Sequence, residues 1–339
     1  MSSNKKITME DIAQMAGVSR ATVSRALRDS SLVNEGTRKR VKELAQKYNF
    51  APNIAARNFR TRKTFTIAVV IMVDAKWGHE LSNAFLMALL GSIADEASHT
   101  GYDLLLATHH KEIDDLYGYY IEGRRADGLI IIGQGREDER LTILAEKQAP
   151  FIVWGAPVLK QPYPVVGSDN IQGAKVAVKS LIKQGRKRVA FMGNTLHPEV
   201  YDRYKGYKQA LEDTNLPYDP NLYIVTDFSQ EDGYQQCDQK LIGADVEFDA
   251  IFAASDSIAL GALKKLKEID YSVPDKIALI GFDDSPISLY CDPALTTVRQ
   301  NVKLAGEYLI RNLLRILNKE QIDDQIIMTE LIERGTTMS

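Results

Sequence analysis

The 339-residue chain has two cysteines, Cys237 and Cys291, and neither sits in a CxxC pair or beside a pair of histidines. A disulfide framework and a structural zinc therefore lack their ligands, and both thiols are expected to be reduced side chains acting as small hydrophobes. His79 and the pair His109 and His110 have no Cys or carboxylate at metal-ligand spacing, so no metal is expected either. No apolar run approaches the roughly 20 residues that span a bilayer, and the opening MSSNKKITMED lacks the apolar stretch of a secretory signal. A cytoplasmic chain is expected. There is no GxxxxGK[ST] loop for nucleotide phosphates and no GxSxG nucleophile turn, and GQG at 133–135 is too short for a dinucleotide fingerprint. Neither an enzyme nor a cofactor is expected.

What the chain does have is a lopsided charge. Residues 1–63 carry 14 Lys and Arg against 5 Asp and Glu, a net of +9, while the remainder carries 28 against 40, a net of −12. A small basic head on an acidic body is the electrostatic footprint of phosphate-backbone binding. Within that head, TMEDIAQMAGVSRATVSRALR at 8–28 spells two short helices around a turn. Thr8 can cap the first, with Glu10 and Asp11 in its opening turn and Ile12, Ala13 and Ala16 on one face. Gly17 breaks it. Ser19 can cap the second, where Val23 and Leu27 pack inward with Val18 while Arg20, Ala21, Thr22, Arg25 and Arg28 stay outside. A third helix starts near Asn34 or Thr37, and Val41, Leu44, Ala45 and Tyr48 are expected to close a miniature core. An amphipathic pair with a solvated basic face has the same periodicity; the third helix and the concentrated charge favour a helix that enters the major groove.

Beyond the head, short apolar strands alternate with helical segments: TIAVVIMV, YDLLLAT, DGLIIIG, PFIVW, RVAFMG, FDAIFAA and KIALIGF. This rhythm predicts parallel sheets covered by helices on both faces. The Pro-rich stretch APVLKQPYPVVG at 156–167 interrupts it and reads as a seam between two halves. Ligands of such sheets lie outside the carboxyl ends of the strands. Those ends carry Asp169 and Asn170, Asn194, Ser255 and Asp256, and Asp283 and Asp284, with Arg203 in the next segment. Asp256 and Asp284 can equally be helix caps. Trp77 and Trp154 follow strands of the first half, where an indole walls a cleft or anchors a core.

Taken together, ITMEDIAQMAGVSRATVSRAL, YNFAPNIAARNFRT, DGLIII, VGSDNIQGA, ASDSIALGAL, IALIGFDDS and LIERGTT run from residue 7 to residue 337, and in them the chain resembles the lactose/galactose-repressor family of bacterial transcriptional regulators. The resemblance implies an N-terminal all-α helix-turn-helix head on a periplasmic-binding-protein-like clamshell of two parallel-sheet subdomains. It divides the chain into a DNA-binding domain at 1–51, a hinge helix and linker at 52–64 and a ligand-binding and dimerisation domain at 65–339. Three crossovers near Val165, Thr296 and Ile326 would separate subdomain 1 (about 65–164 and 297–325) from subdomain 2 (about 165–296 and 326–339).

The family's effector is a small carbohydrate, and the resemblance assigns Arg203 and Asp283 to its hydroxyls, Ser255 to a polar contact and Phe228 to stacking on the ring; Trp77 and Asp169 complete the candidate set. A carboxylate and a guanidinium in one cleft suit vicinal hydroxyls through charge-assisted hydrogen bonds. At the operator, Arg20, Ala21, Thr22 and Arg25 are expected at base edges, and Thr8, Ser19, Asn34 and Thr37 at the backbone. The hinge would bring Asn53, Ala56, Arg57, Phe59 and Arg60 to the minor groove, with Phe59 where the family inserts a Leu. No apolar heptads accompany LIERGTT, so a homodimer on a pseudo-palindromic operator is expected. A sugar-transport binding protein would share the clamshell but not the basic head.

Overall fold

A computed structural model describes residues 7–27, 29–50, 63–72, 83–108, 115–135, 138–159 and 161–337. The chain forms two compact units, Met1–Lys63 and Thr64–Ser339.

In the first unit, α1 (Met9–Ala16) opens with a capping box: Thr8 Oγ1 accepts from Asp11 N at 3.3 Å, and Thr8 N donates to Asp11 Oδ2 at 2.8 Å. Gly17 ends it at φ 65°, a left-handed conformation that releases the chain into the turn without the Cβ penalty other residues meet there. Ser19 caps α2 (Arg20–Ala26) and Asn34 caps α3 (Glu35–Lys47). Ile12, Ala13, Ala16, Val23, Ala26, Val33 and Val41 form the core, flanked by Ile7, Met9, Val18, Leu27, Leu44 and Phe50. Tyr48, expected in this core, is instead 39% exposed, because α3 ends at Lys47 and Phe50 turns inward in its place.

The second unit contains two six-stranded sheets. The first comprises β1 (Thr66–Ile71), β2 (Asp103–Thr108), β3 (Gly128–Ile132), β4 (Phe151–Trp154), β5 (Val165–Ser168) and β11 (Gln325–Ile327), in the order β11-β5-β4-β3-β1-β2 with every pair parallel. The second comprises β6 (Val189–Met192), β7 (Tyr223–Ile224), β8 (Ala250–Ala253), β9 (Ala278–Asp283), β10 (Thr296–Arg299) and β12 (Glu330–Ile332), in the order β12-β10-β9-β8-β6-β7; β12 alone runs antiparallel, beside β10. The inner strands are apolar without alternation because helices cover both faces. Helices α4 (Ala84–Ser98) and α11 (Val302–Leu317) pack on one face of the first sheet; α6 (Asn170–Lys183), α7 (Pro198–Asp213) and α9 (Asp256–Glu268) belong to the second core. Among the described residues, further α-helices of this unit are α5 (Glu139–Glu146), α8 (Gln230–Gln236) and the short α10 (Ile287–Tyr290).

The Pro-rich stretch at 156–167 is no seam: it joins β4 to β5 inside the first sheet. The chain crosses after Ser168, returns after Arg299 and crosses last between Ile327 and Glu330, where crossovers near Val165, Thr296 and Ile326 were expected. Composition marks turns, but strand pairing decides to which sheet each crossover strand belongs.

Candidate functional site

In the head, the second helix presents Arg20, Ala21 and Arg25 exposed and Thr22 half-buried, while Val23 and Ala26 hold its other face to the core. Arg20 Nε lies 3.3 Å from Glu10 Oε2, an exposed pair that leaves the guanidinium accessible. Ser19 and Asn34 spend their side-chain oxygens on the helix starts, accepting from Thr22 N at 3.2 Å and Thr37 N at 2.8 Å. These caps fix which way each helix N-terminus points. Asn53, Ala56, Arg57, Phe59, Arg60 and Trp77 lie outside the described residues.

In the body, a cavity lies between the two sheets, walled from the first by Met72, Asn83, Phe85, Ile132, Trp154 and Ser168 and from the second by Asn170, Glu199, Arg203, Phe228, Asp283 and Gln300. Arg203, on α7, is 4% exposed. Its Nε donates to Asn170 Oδ1 at 2.8 Å, its Nη1 donates to the Ala254 carbonyl, and its guanidinium carbon sits 3.8 Å from the centre of the Phe282 ring. Burial presses its pKa down; Asp283, Glu199 and Asp256 oppose that shift.

Asp283 ends β9 with φ 124°, and Asp284 follows at φ 56°, so the chain turns sharply there in conformations L-residues seldom adopt. Gln300 Nε2 donates to Asp283 Oδ1 at 2.7 Å. Burial raises the Asp283 carboxyl well above its ordinary value; Arg203 opposes this and Asp256 adds to it. Phe228 meets the His197 ring at 5.2 Å, and Phe85 lies 6.2 Å from Trp154, which serves both the cavity wall and the core.

Five of the sequence-derived candidates thus converge: Arg203, Phe228 and Asp283, with Asn170 and Trp154. Ser255 and Asp169 do not line the cavity. Ser255 Oγ caps α9, accepting from Ile258 N at 3.2 Å, and Asp169 Oδ1 caps α6, accepting from Gln172 N at 3.0 Å. A polar residue at a strand's carboxyl end is as suited to capping the next helix as to meeting a ligand. Their neighbours Ser168 and Asn170 face the cavity instead. Asp256 is structural too: it accepts from Ser285 N at 2.7 Å, from Ser285 Oγ at 2.9 Å and from Thr297 Oγ1. Asp284 accepts from Arg299 Nε at 2.7 Å and Arg334 Nη2 at 2.6 Å; burial opposes them, but these bonds hold its carboxyl below the ordinary value. Asn83, Phe85, Glu199 and Gln300 carried no signal of their own in the sequence, because helix starts and crossover loops place them.

Asn83, in the cavity wall, donates from Nδ2 to Ser257 Oγ at 3.4 Å, tying the start of α4 to α9. Among the described residues no group of His, Cys, Asp and Glu could hold a metal, and no helix is long and apolar enough to cross a membrane.

Residues 8–53 match the family described as "Bacterial regulatory proteins, lacI family", and residues 178–337 match "Periplasmic binding protein-like domain". The HTH-type transcriptional regulator RegA of Clostridium saccharobutylicum is 30% identical over 98% of this chain and 99% of its own length. A solved complex of the transcriptional regulator CelR with cellobiose is 29% identical and superposes with a TM-score of 0.74 over 97% of this chain and 99% of that one. The Lac repressor dimer bound to operator and the anti-inducer ONPF, at 24% identity, shares the fold with a TM-score of 0.85 over 99% of this chain and 100% of that one. With a capped helix-turn-helix head, a two-sheet clamshell and full-length relatives that are regulators rather than enzymes, the chain belongs to the lacI family of bacterial regulatory proteins and is a DNA-binding transcriptional regulator.

Proposed function

We propose that the protein is a homodimeric repressor of carbohydrate-utilisation genes whose operator affinity is set by a small neutral sugar in the clamshell cavity. Its working parts are a reading head at 1–51, a hinge at 52–64 and the body at 65–339. The observation that carries the effector half is the convergence of Arg203, Asp283 and Phe228 on one cavity. The charged pair offers a donor and an acceptor to vicinal hydroxyls, and the aromatic face covers the C–H side of a ring. The similarity to a regulator solved with cellobiose supports a sugar.

Each head takes one half-site of a pseudo-palindromic operator in the cytoplasm. Arg20, Ala21, Thr22 and Arg25 read base edges; Thr8, Ser19, Asn34 and Thr37 position phosphates. The hinge residues Asn53, Ala56, Arg57, Phe59 and Arg60 reach the minor groove, with Phe59 as wedge. Exposed Ile287, Leu289 and Tyr290, all on α10, favour a second copy as their cover. A ligand shifts operator affinity only by its differential affinity for the clamshell states, so cavity and head are coupled.

Fluorescence anisotropy with a labelled pseudo-palindrome tests this reading, with Arg25→Ala beside the wild type. Specific binding that neutral sugars modulate is expected. Arg25→Ala should lose about 1–3 kcal/mol at one symmetric base pair and little on random DNA. Equal loss on every sequence would reduce Arg25 to a phosphate contact, and indifference to every sugar tested would refute a carbohydrate effector.

A further inference from the structure

Two oxygens in the cavity wall have no hydrogen-bond partner: Ser168 Oγ, at the end of β5, and Glu199 Oε2, in the first turn of α7. Ser168 is 4% exposed, and both atoms are shielded from solvent. Buried polar atoms are ordinarily paired, so an acceptor left open on a cavity wall marks where a ligand's donor completes the shell. A carboxylate oxygen can only accept. The ligand facing Glu199 must therefore bring hydroxyl or amine hydrogens.

The charges around the cavity narrow the class further. Among the described lining residues Arg203 is the one cation, set against two acids, Glu199 and Asp283. Arg203 spends two of its five N–H donors inside the protein, Nε on Asn170 and Nη1 on the Ala254 carbonyl, with Asp283 Oδ1 4.0 Å from Nη1. An anion-binding pocket needs surplus cations or free backbone N–H groups at a helix start. Here the start of α7 holds an acid of its own, Glu199, in the favourable field of the helix dipole. A phosphate brought into this cavity would meet Glu199 with little water to screen the repulsion.

Resting on the sugar-effector reading above, we infer that Glu199 selects the effector by charge, accepting hydrogen bonds from an uncharged hydroxyl-rich ring and rejecting its phosphorylated form. Glu199 and Arg203 are one helical turn apart on α7 and so face the same ligand, one accepting and one donating.

Isothermal titration of the full chain with glucose, cellobiose, glucose 1-phosphate and glucose 6-phosphate tests this at fixed ionic strength. A neutral sugar should bind at least about 30-fold more tightly than the phosphates, and the near-isosteric Glu199→Gln should shrink that ratio by about tenfold. Circular dichroism melting confirms that the variant is folded; if it is not, Glu199→Ser is read the same way. A phosphate that binds the wild type as tightly as glucose, or a ratio unchanged in the variants, would overturn the inference. Binding of none of the four sugars would instead overturn the sugar-effector reading on which it rests, a distinct outcome.

Discussion

Arg203 Nη1 stands 4.0 Å from Asp283 Oδ1, yet neither side chain depends on the other for its place. Arg203 is anchored by Asn170 and Ala254, Asp283 by Gln300. A guanidinium and a carboxyl group are thus held in one cavity at more than hydrogen-bonding distance from each other, where a ligand hydroxyl can meet either.

Because of those separate anchors, the two residues should respond differently to substitution. Asp283→Asn is expected to cost about 2–4 kcal/mol of effector affinity without lowering the melting temperature, since it keeps the shape and removes a carboxyl whose ionisation burial opposes. Arg203→Ala should lose similar affinity and also destabilise the fold by about 2–4 kcal/mol, because the Ala254 carbonyl and Asn170 Oδ1 lose their donor. Operator affinity without sugar should hardly change in Asp283→Asn. Titration calorimetry, thermal melting and anisotropy read these effects separately; wild-type sugar affinity in Asp283→Asn would remove this residue from the site.

The raised Asp283 carboxyl has a defined sign in the stability profile. The folded protein holds this proton more tightly than the unfolded chain, so its contribution is full below the ordinary carboxylate range and is lost as pH rises towards about 8. Asp256, also raised by burial, acts in the same direction, whereas lowered Asp284 loses its contribution as pH falls. Melting temperatures of wild type and Asp283→Asn across this range should converge at the acid end and separate towards the basic end, with the variant the more stable. Parallel profiles would contradict the assignment.

The net charge of +9 on residues 1–63 makes operator binding steeply salt-dependent. If six or more phosphates are neutralised, affinity should fall by about 10³-fold or more between about 50 and 200 mM salt. A flat titration would remove the electrostatic role of the head.

Two glycines separate backbone strain from crowding. At Gly17 (φ 65°) a Cβ meets nothing within 4 Å, so Gly17→Ala should cost only about 1 kcal/mol, seen as faster amide exchange in α1 and α2. At Gly206 an added Cβ would collide with the Ile171 carbonyl oxygen, where α6 and α7 pack closely. Gly206→Ala should therefore destabilise the body by more than about 2 kcal/mol in chemical denaturation.

Ser257 accepts a hydrogen bond from Asn83, a residue of the cavity wall, but does not itself line the cavity. Ser257→Ala should speed effector release by about 2–5-fold, the worth of one weak hydrogen bond, with little change in the association rate. Stopped-flow kinetics decide it; a change confined to association would argue against a tie that holds the two helices around bound effector.

What the sequence determined by itself is what local physics controls. Thr8, Gly17, Ser19 and Asn34 carry cap and breaker chemistry that acts within a few residues, and the apolar strands and their alternation with helices follow from burial on both faces. Arg203 and Asp283 were legible only through the family resemblance, because a charged residue at a strand end is as suited to capping a helix as to meeting a ligand. Tertiary structure decided the rest. Whether Ser255 and Asp169 cap or contact, and whether Ser168 and Asn170 face the cavity, turns on a rotation of about one residue at each strand end, which composition does not encode. The crossover positions depended on which strand found which neighbour. Gln300, Asn83 and Glu199 acquired their places because chain segments distant in sequence were brought to one cavity, and only packing determined that Glu199 would arrive there without a partner.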